Sequence, residues 1–346
     1  MMKVDYIIVG LGLAGIAFAE TLYKNHKTFV VFNDCSQQAS IVAGGMYNSV
    51  TLKRYTPVWL AKEQLAVALP FYKSLEEKFN IKLDYKVQDA RVLSSVEEQN
   101  NWFTASDKPA LSEALSTELV TNNNKALKAP FKLGMLKNTG RIDTELLSKT
   151  YKKHLLDSGL LYEQSFKYNN LIIKEESVEY NTIAAHKIVF CEGFGMKKNP
   201  FFKDLPMQES KGESLIIKAP NLKIDFLAKG PVFVMPLGAD LYKVGATFNW
   251  KDKTNLTTEA GKNELLVKLK SFVNTDFEIN KQLAGVRPTV KDRKPLLGTH
   301  HQYKNIAIFN GLGTRGVMIA PYAAPFLFNH LEFQDDLPKE LAISRF

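Results

Sequence analysis

The run Gly10-Leu11-Gly12-Leu13-Ala14-Gly15 carries glycines at the spacing that lets a polypeptide backbone close on a pyrophosphate. In such a run Gly10 makes a tight turn, Gly12 admits phosphate against the main chain, and Gly15 lets the following helix pack on the preceding strand. Leu13 and Ala14, between the last two glycines, sit where a helix N-terminus turns free N–H groups and its positive dipole end toward the anion. About 20 residues further on, sites of this kind place an acid on a ribose. Asn33 and Asp34 stand there, and either could make the contact, whereas no arginine follows to read a 2′-phosphate. A second run, Gly311-Leu312-Gly313-Thr314-Arg315-Gly316, has the same spacing, but only one helix and a short tail come after it, so a second dinucleotide site is not expected.

Two arginines are candidates for chemistry. Arg287 lies between a strand-like run and Pro288, and its planar fork suits a carboxylate, although an arginine in such a place also serves structural salt bridges. Arg315, inside the second glycine run, is open to a pocket role or a structural one. His26, His154, His186, His300, His301 and His330 show no metal-ligand spacing, so no metal is expected. Hydrolase and phosphotransferase readings lack their motifs, since neither Gly-x-Ser-x-Gly nor a Walker run occurs.

The elements that must position these residues follow from pattern. Val4 to Val9 reads as a strand, Ile16 to Tyr23 as a helix and Thr28 to Phe32 as a second strand, which completes a βαβ unit around the first glycine run. A helix is expected from Val58 to Phe79, broken or kinked at Pro70, then a strand-like alternation from Lys82 to Leu93. Asp143 to Leu156 reads as a helix capped by Asp143 or by the turn before it. Short strands fill Leu160 to Phe190 and Leu215 to Phe248, a helix covers Thr258 to Phe272, and the chain closes with strand Ile306 to Phe309 and a helix from about Gly316 to His330.

With 346 residues, 45% of them apolar, the chain can bury a full core and has room for about two domains. Cys35 and Cys191 are far apart and form no CxxC, so neither a disulfide framework nor a zinc site is suggested, and a reducing, cytoplasmic setting is expected. The apolar run before Gly10 is too short for a signal peptide, and none approaches the ~20 residues of a membrane span. The formal charge of +9 fits either an anionic partner or a lysine-rich solvated surface; the lysines are scattered rather than clustered.

Beyond the first glycine run, the chain resembles the D-amino-acid oxidase superfamily of flavoproteins, its glycine and sarcosine oxidase branch above all, through blocks that occur in the family's order. Ser40 to Asn48, reading SIVAGGMYN, is similar to the small-residue segment that passes the pyrophosphate and flavin, and Gly140-Arg141-Ile142-Asp143 to the turn opening the next helix. Ile188 to Gly193 resembles the strand that returns to the cofactor. Met235-Pro236 with Gly245-Ala246-Thr247 resembles a hairpin of the substrate domain. Gly285-Val286-Arg287-Pro288 with Lys294-Pro295-Leu296-Leu297-Gly298 resembles the G-x-R-P…P-x-x-G block, and Asn310 to Pro321 the loop and helix that close the flavin site.

The resemblance implies an α/β fold in which a Rossmann-type domain binds FAD noncovalently, with a discontinuous α+β substrate domain built on an antiparallel sheet. It assigns residues 1–85, 140–210 and 285–346 to the first and 86–139 and 211–284 to the second. Cofactor contacts are then expected from Gly10, Gly12, Leu13, Ala14, Gly15, Asn33 or Asp34, Ser40, Ala43, Gly44, Gly45, Met46, Glu192, Gly193, Gly311, Gly313, Thr314, Arg315, Gly316 and Val317. Arg287 would pair with a substrate carboxylate, and Arg315 would cap the pocket or touch substrate. Hydride transfer to flavin N5 leaves charge on the N1–C2=O edge, which the N-terminus of the last helix is placed to stabilise. Phe233 stands where glycine oxidase relatives commonly carry a carboxylate-binding tyrosine, a loss that Tyr47 or Tyr242 could offset.

The expected activity is oxidation of a C–N bond in a small amine or amino acid. One alternative is a flavoprotein oxidase acting on the carboxymethylaminomethyl group of a tRNA wobble uridine, which the last glycine run and Ala320-Pro321 also resemble and which would give the positive charge an RNA partner; the methyltransferase domain usually fused to that oxidase is not in this sequence. A flavin-binding protein without turnover is the other.

Overall fold

The computed structural model describes residues 1–346. Its seven α-helices are α1 (Leu13–Lys24), α2 (Ala39–Val42), α3 (Ala61–Phe79), α4 (Val96–Ser106), α5 (Thr144–Asp157), α6 (Glu259–Lys270) and α7 (Gly316–Phe333). The strands form two large sheets and two small ones.

The first large sheet grows around strand Met2–Val9, whose half from Tyr6 to Val9 is covered on both faces and therefore reads as a continuous apolar run. Phe29–Phe32 pairs with it in parallel on one side and Ile183–Phe190 on the other. The far edge of Ile183–Phe190 is shared: its first residues pair antiparallel with Val178–Tyr180, its last in parallel with Ile306–Asn310. Helices α1, α3, α5 and α7 cover one face, and an aromatic cluster around Phe32, Phe166, Tyr180 and Phe190 lies on the other.

The second large sheet runs, edge to edge, Glu278–Arg287, Ser210–Lys218, Leu241–Gly245, Phe233–Gly238, Leu227–Lys229, Asp89–Val92, Leu133–Leu136 and Leu115–Val120. All neighbours are antiparallel except Leu227–Lys229 with Asp89–Val92, a parallel pair inside the sheet expected to be antiparallel. Helix α6 packs on this sheet through Leu265 and Leu269.

Two expectations from pattern need correction. α3 begins at Ala61 rather than Val58 and runs through Pro70 without a break, because Ala66, whose carbonyl loses its donor, lies on the exposed face. Lys82 to Leu93 is two short strands, Asp84–Tyr85 and Asp89–Val92, which join different sheets. In α7, Pro321 removes the donor that would reach the Val317 carbonyl, and the buried Tyr72 hydroxyl of α3 replaces it at 3.0 Å. The cap of α5 is Asp143, whose carboxylate accepts from the Leu146 N–H at 3.0 Å.

Candidate active site

A cleft of about 940 Å³ opens between the two large sheets, at the upper end of the ~300–1,000 Å³ usual for ligand sites. Its floor is the first glycine run. Gly10 has φ +101°, and a Cβ there would come within 2.5 Å of the Cys191 carbonyl oxygen. A Cβ on Gly15 would lie 2.1 Å from the Gly10 carbonyl oxygen, so this glycine serves the packing of α1 on the strand and does not line the cleft. The Leu13 N–H donates to the Ser40 hydroxyl at 3.1 Å. The backbone N–H groups of Gly12, Ala14 and Gly15 donate to no protein acceptor. Orphan donors at a helix start beside a crevice are the arrangement that takes up a pyrophosphate.

Where a ribose acid was expected, Asn33 and Asp34 both line the cleft. The Asn33 side chain accepts from the Leu11 N–H at 3.3 Å and so braces the glycine run. Asp34 accepts from the Ser36 N–H and the Ser165 hydroxyl at 2.9 and 2.7 Å. Burial pushes its carboxyl up, but those bonds outweigh it and hold the group below the ordinary carboxylate range. Glu192, at the end of Ile183–Phe190, is raised by burial, although Asn199 and Tyr168 donate to it at 2.7 and 2.5 Å. Gly193 follows with φ +56°, and its carbonyl accepts from Asn310 at 2.9 Å.

The segment from Ser40 forms one wall. Ser40, Ala43, Gly44, Gly45 and Met46 all face the cleft. Gly45 has φ +65°, and a Cβ on it would lie 1.9 Å from the Ile142 carbonyl oxygen, so the segment presses on strand Gly140–Ile142. From the second sheet, the buried Lys243 ammonium donates to the Ala43 carbonyl at 2.9 Å; desolvation lowers Lys243 to about 8. Gly313, Thr314, Arg315, Gly316 and Val317 line the cleft at the start of α7. Gly311 does not; its φ of +75° turns the chain past Val290, 2.5 Å from where a Cβ would stand. No strand follows α7, so the second glycine run belongs to the same cleft and makes no second dinucleotide site.

The two arginines differ in how they are held. Arg315 donates through Nη1 to the Asn48 carbonyl and side-chain oxygens, and through Nη2 to the Thr51 hydroxyl, each at 3.3 Å. Behind it, the fully buried Asp89 accepts from Asn48 Nδ2 at 2.8 Å and from Lys229 Nζ at 2.5 Å. Arg287 donates only to the Thr247 carbonyl, at 3.3 Å from Nη2; its Nη1 is buried without a partner. Desolvation lowers both guanidiniums to about 10, with Asp89 partly opposing the shift at Arg315.

Phe233 lines the cleft, but neither tyrosine offsets the missing hydroxyl beside it. The Tyr47 hydroxyl is committed to Asp84 at 2.7 Å and Lys86 at 2.9 Å, and Tyr242 is buried in the core under α6. Asp89, Lys229, Lys243, Gly212 and Phe248 were not singled out from sequence. They lie on strands and a strand extension, where nothing in a local pattern says which residues a distant arginine will meet.

Fold and cleft together define a dinucleotide-binding protein of the two-sheet type, with a buried unpaired arginine facing the cofactor groove. The family model for FAD dependent oxidoreductases matches residues 5–327. The chain therefore belongs to that family, and it is an FAD-dependent oxidoreductase. The chain is similar to the glycine oxidase of Geobacillus kaustophilus, at 22% identity over 92% of this chain and 90% of the relative. The Bacillus subtilis glycine oxidase is 25% identical over 37% of this chain and 36% of its own length. Among solved structures, the Geobacillus kaustophilus glycine oxidase superposes with a TM-score of 0.81 at 19% identity, covering 97% of this chain and 96% of the other. Iminodiacetate oxidase from Chelativorans sp. BNC1 superposes with a TM-score of 0.77 at 17% identity, over 97% and 98%. No helix of the chain is long and apolar enough to cross a membrane.

Proposed function

We propose that the protein oxidises the C–N bond of a small amine that carries a carboxylate, an amino acid or an N-substituted one. The observation that carries this reading is Arg287, which lines the cofactor cleft and whose buried Nη1 is a cationic donor with no protein partner. A guanidinium edge of this kind stays desolvated at a cost unless an anion meets it, and a carboxylate matches it. Bound FAD supplies the acceptor for a hydride from the carbon next to the amine. Arg287 would hold the carboxylate and so fix that carbon toward the flavin, while the walls of the cleft exclude water. Arg315, tied to Asn48 and Thr51, is read as a wall of the pocket that keeps positive charge near the reacting group.

The orphan amides of Gly12 and Ala14 are assigned to the pyrophosphate, Asn33 or Asp34 to the ribose, and Ser40, Ala43, Gly44, Gly45, Met46, Glu192, Gly193 and residues 313–317 to the length of the cofactor. The backbone N–H groups at the α7 N-terminus would face the flavin N1–C2=O edge. On this reading residues 1–85, 140–210 and 285–346 bind FAD, and 86–139 and 211–284 cover the substrate. Support for the division comes from the second large sheet, drawn mostly from the latter two segments.

The test is anaerobic mixing of the yellow protein with glycine, N-methylglycine, iminodiacetate, several L-amino acids and carboxymethylaminomethyluridine. The reading expects at least one carboxylate-bearing amine to bleach the flavin, and its decarboxylated analogue to fail. If dithionite bleaches the flavin but none of the amines does, the protein is a flavin binder without this chemistry.

A further inference from the structure

The Arg287 guanidinium is held flat by its neighbours rather than by an ion pair. Residues 247–249 continue past strand Leu241–Gly245 as an extended piece along Ser210–Lys218. Thr247 N–H donates to the Glu213 carbonyl at 3.1 Å, and Lys211 and Asn249 exchange two backbone bonds of 2.9 Å. That register sets Phe248 opposite Gly212, between the two bonded pairs. Arg287, from the neighbouring strand Glu278–Arg287, crosses this pair. Its guanidinium carbon is 4.3 Å from the Phe248 ring centroid, and a Cβ on Gly212 would stand 1.9 Å from its Nη2. Any residue but glycine at 212 would displace the group.

The loop carrying Phe248 is pinned at its far side. Lys211, fully buried, forms an ion pair with Asp252, and Asn255 donates to the Ser36 carbonyl at 2.8 Å across the cleft mouth. Phe248 itself is 59% exposed, so the face of its ring turned to Arg287 closes that side of the guanidinium while the rest of the residue meets solvent.

We propose that Phe248 and Gly212 clamp Arg287 so that its two faces are closed and its buried Nη1 alone is left without a protein partner, which makes Phe248 a specificity-determining residue selecting planar carboxylates over tetrahedral anions. The inference rests on the reading of Arg287 as the anion site. A carboxylate can lie in the guanidinium plane and approach the free edge. A sulfonate or phosphonate carries a third oxygen out of that plane, toward the ring on one side or the Gly212 backbone on the other. The same ring keeps water off the ion pair and adds a cation–π contact. Phe248 acts through Arg287 and is a positioning residue.

The experiment titrates the FAD-loaded protein with acetate, methanesulfonate and acetamide, following the visible flavin spectrum. Acetate is expected to bind and methanesulfonate to bind at least tenfold more weakly. In Phe248→Ala, acetate should weaken about tenfold and its preference over methanesulfonate should shrink, while Phe248→Tyr keeps both. Burial depresses the Arg287 guanidinium to about 10, so acetate binding in the parent falls as pH rises through about 10; re-exposure in Phe248→Ala moves that loss to higher pH. If Arg287→Ala abolishes acetate binding and Phe248→Ala changes neither the acetate preference nor the pH limb, the clamp is wrong and the anion site stands. If Arg287→Ala binds acetate as the parent does, the anion site and the clamp both fail. Unchanged FAD content and melting temperature in each variant exclude misfolding as the cause.

Discussion

Replacing Asp89 tests the charged support behind the cleft. Its Oδ2 accepts from Lys229 and Asn48, its Oδ1 meets no protein donor, and the side chain is wholly buried. Lys229 keeps 19% of its side chain exposed. Breaking a buried pair costs about 3–5 kcal/mol, so Asp89→Asn, which strands a partly wetted lysine, should cost about 3 kcal/mol. Lys229→Met strands a fully enclosed carboxylate and should cost about 5 kcal/mol. With an unfolding entropy of about 2.1 cal/mol/K per residue, the 346-residue chain loses about 1 °C for each ~0.7 kcal/mol. The single variants should therefore melt about 4 and 7 °C below the parent, read as release of flavin fluorescence on heating and by circular dichroism. The double variant removes both charges and should fall well short of the ~11 °C sum, because no isolated charge remains. Additive shifts would show that Asp89 and Lys229 do not compensate each other and form no coupled support behind Asn48 and Arg315.

Three further outcomes follow from other parts of the fold. Tyr72→Phe leaves the buried Val317 carbonyl without its donor, a loss of about 1–3 kcal/mol; an unchanged melting temperature would show that another group serves that carbonyl. Lys243 is about 8 in the folded protein and near its ordinary 10.5 when unfolded. The unfolded chain thus holds the extra proton between those values, and this group makes stability rise as pH climbs from about 8 to 10.5. Lys243→Met should lose that rise, and a stability difference from the parent that is flat across this window would contradict it. Gly45→Ala puts a Cβ 1.9 Å from the Ile142 oxygen at a φ of +65°, so purified protein should carry much less FAD; full occupancy would show that the segment can move away without harm to the site.

Much of the site's backbone frame was legible in sequence because its signals are local. The glycine spacing at 10, 12 and 15 lies between one strand and one helix, and Gly10 and Gly15 are required by contacts with the strand beside that unit and within it. The same holds for the Asp143 cap of α5, formed three residues away. The single helix through Pro70 was not legible, because the cost of a proline depends on whether the freed carbonyl faces water, and exposure is a tertiary property. Pro321 is tolerated for a different reason, a tyrosine 245 residues distant along the chain.

The sequence by itself determined the dinucleotide groove, since that rests on a short glycine spacing, while its resemblance to a flavoprotein family named the two arginines that line the cleft. Only the tertiary structure decided that Arg287 is free while Arg315 is tied to Asn48 and Thr51, that Tyr47 and Tyr242 are spent elsewhere, and that Asp89 and Lys229 stand behind the wall. The physical reason is strand register. It brings together Gly212, Phe248 and Arg287 from three stretches of chain, and a guanidinium's partners are set by what lies across the sheet from it rather than by its neighbours in sequence.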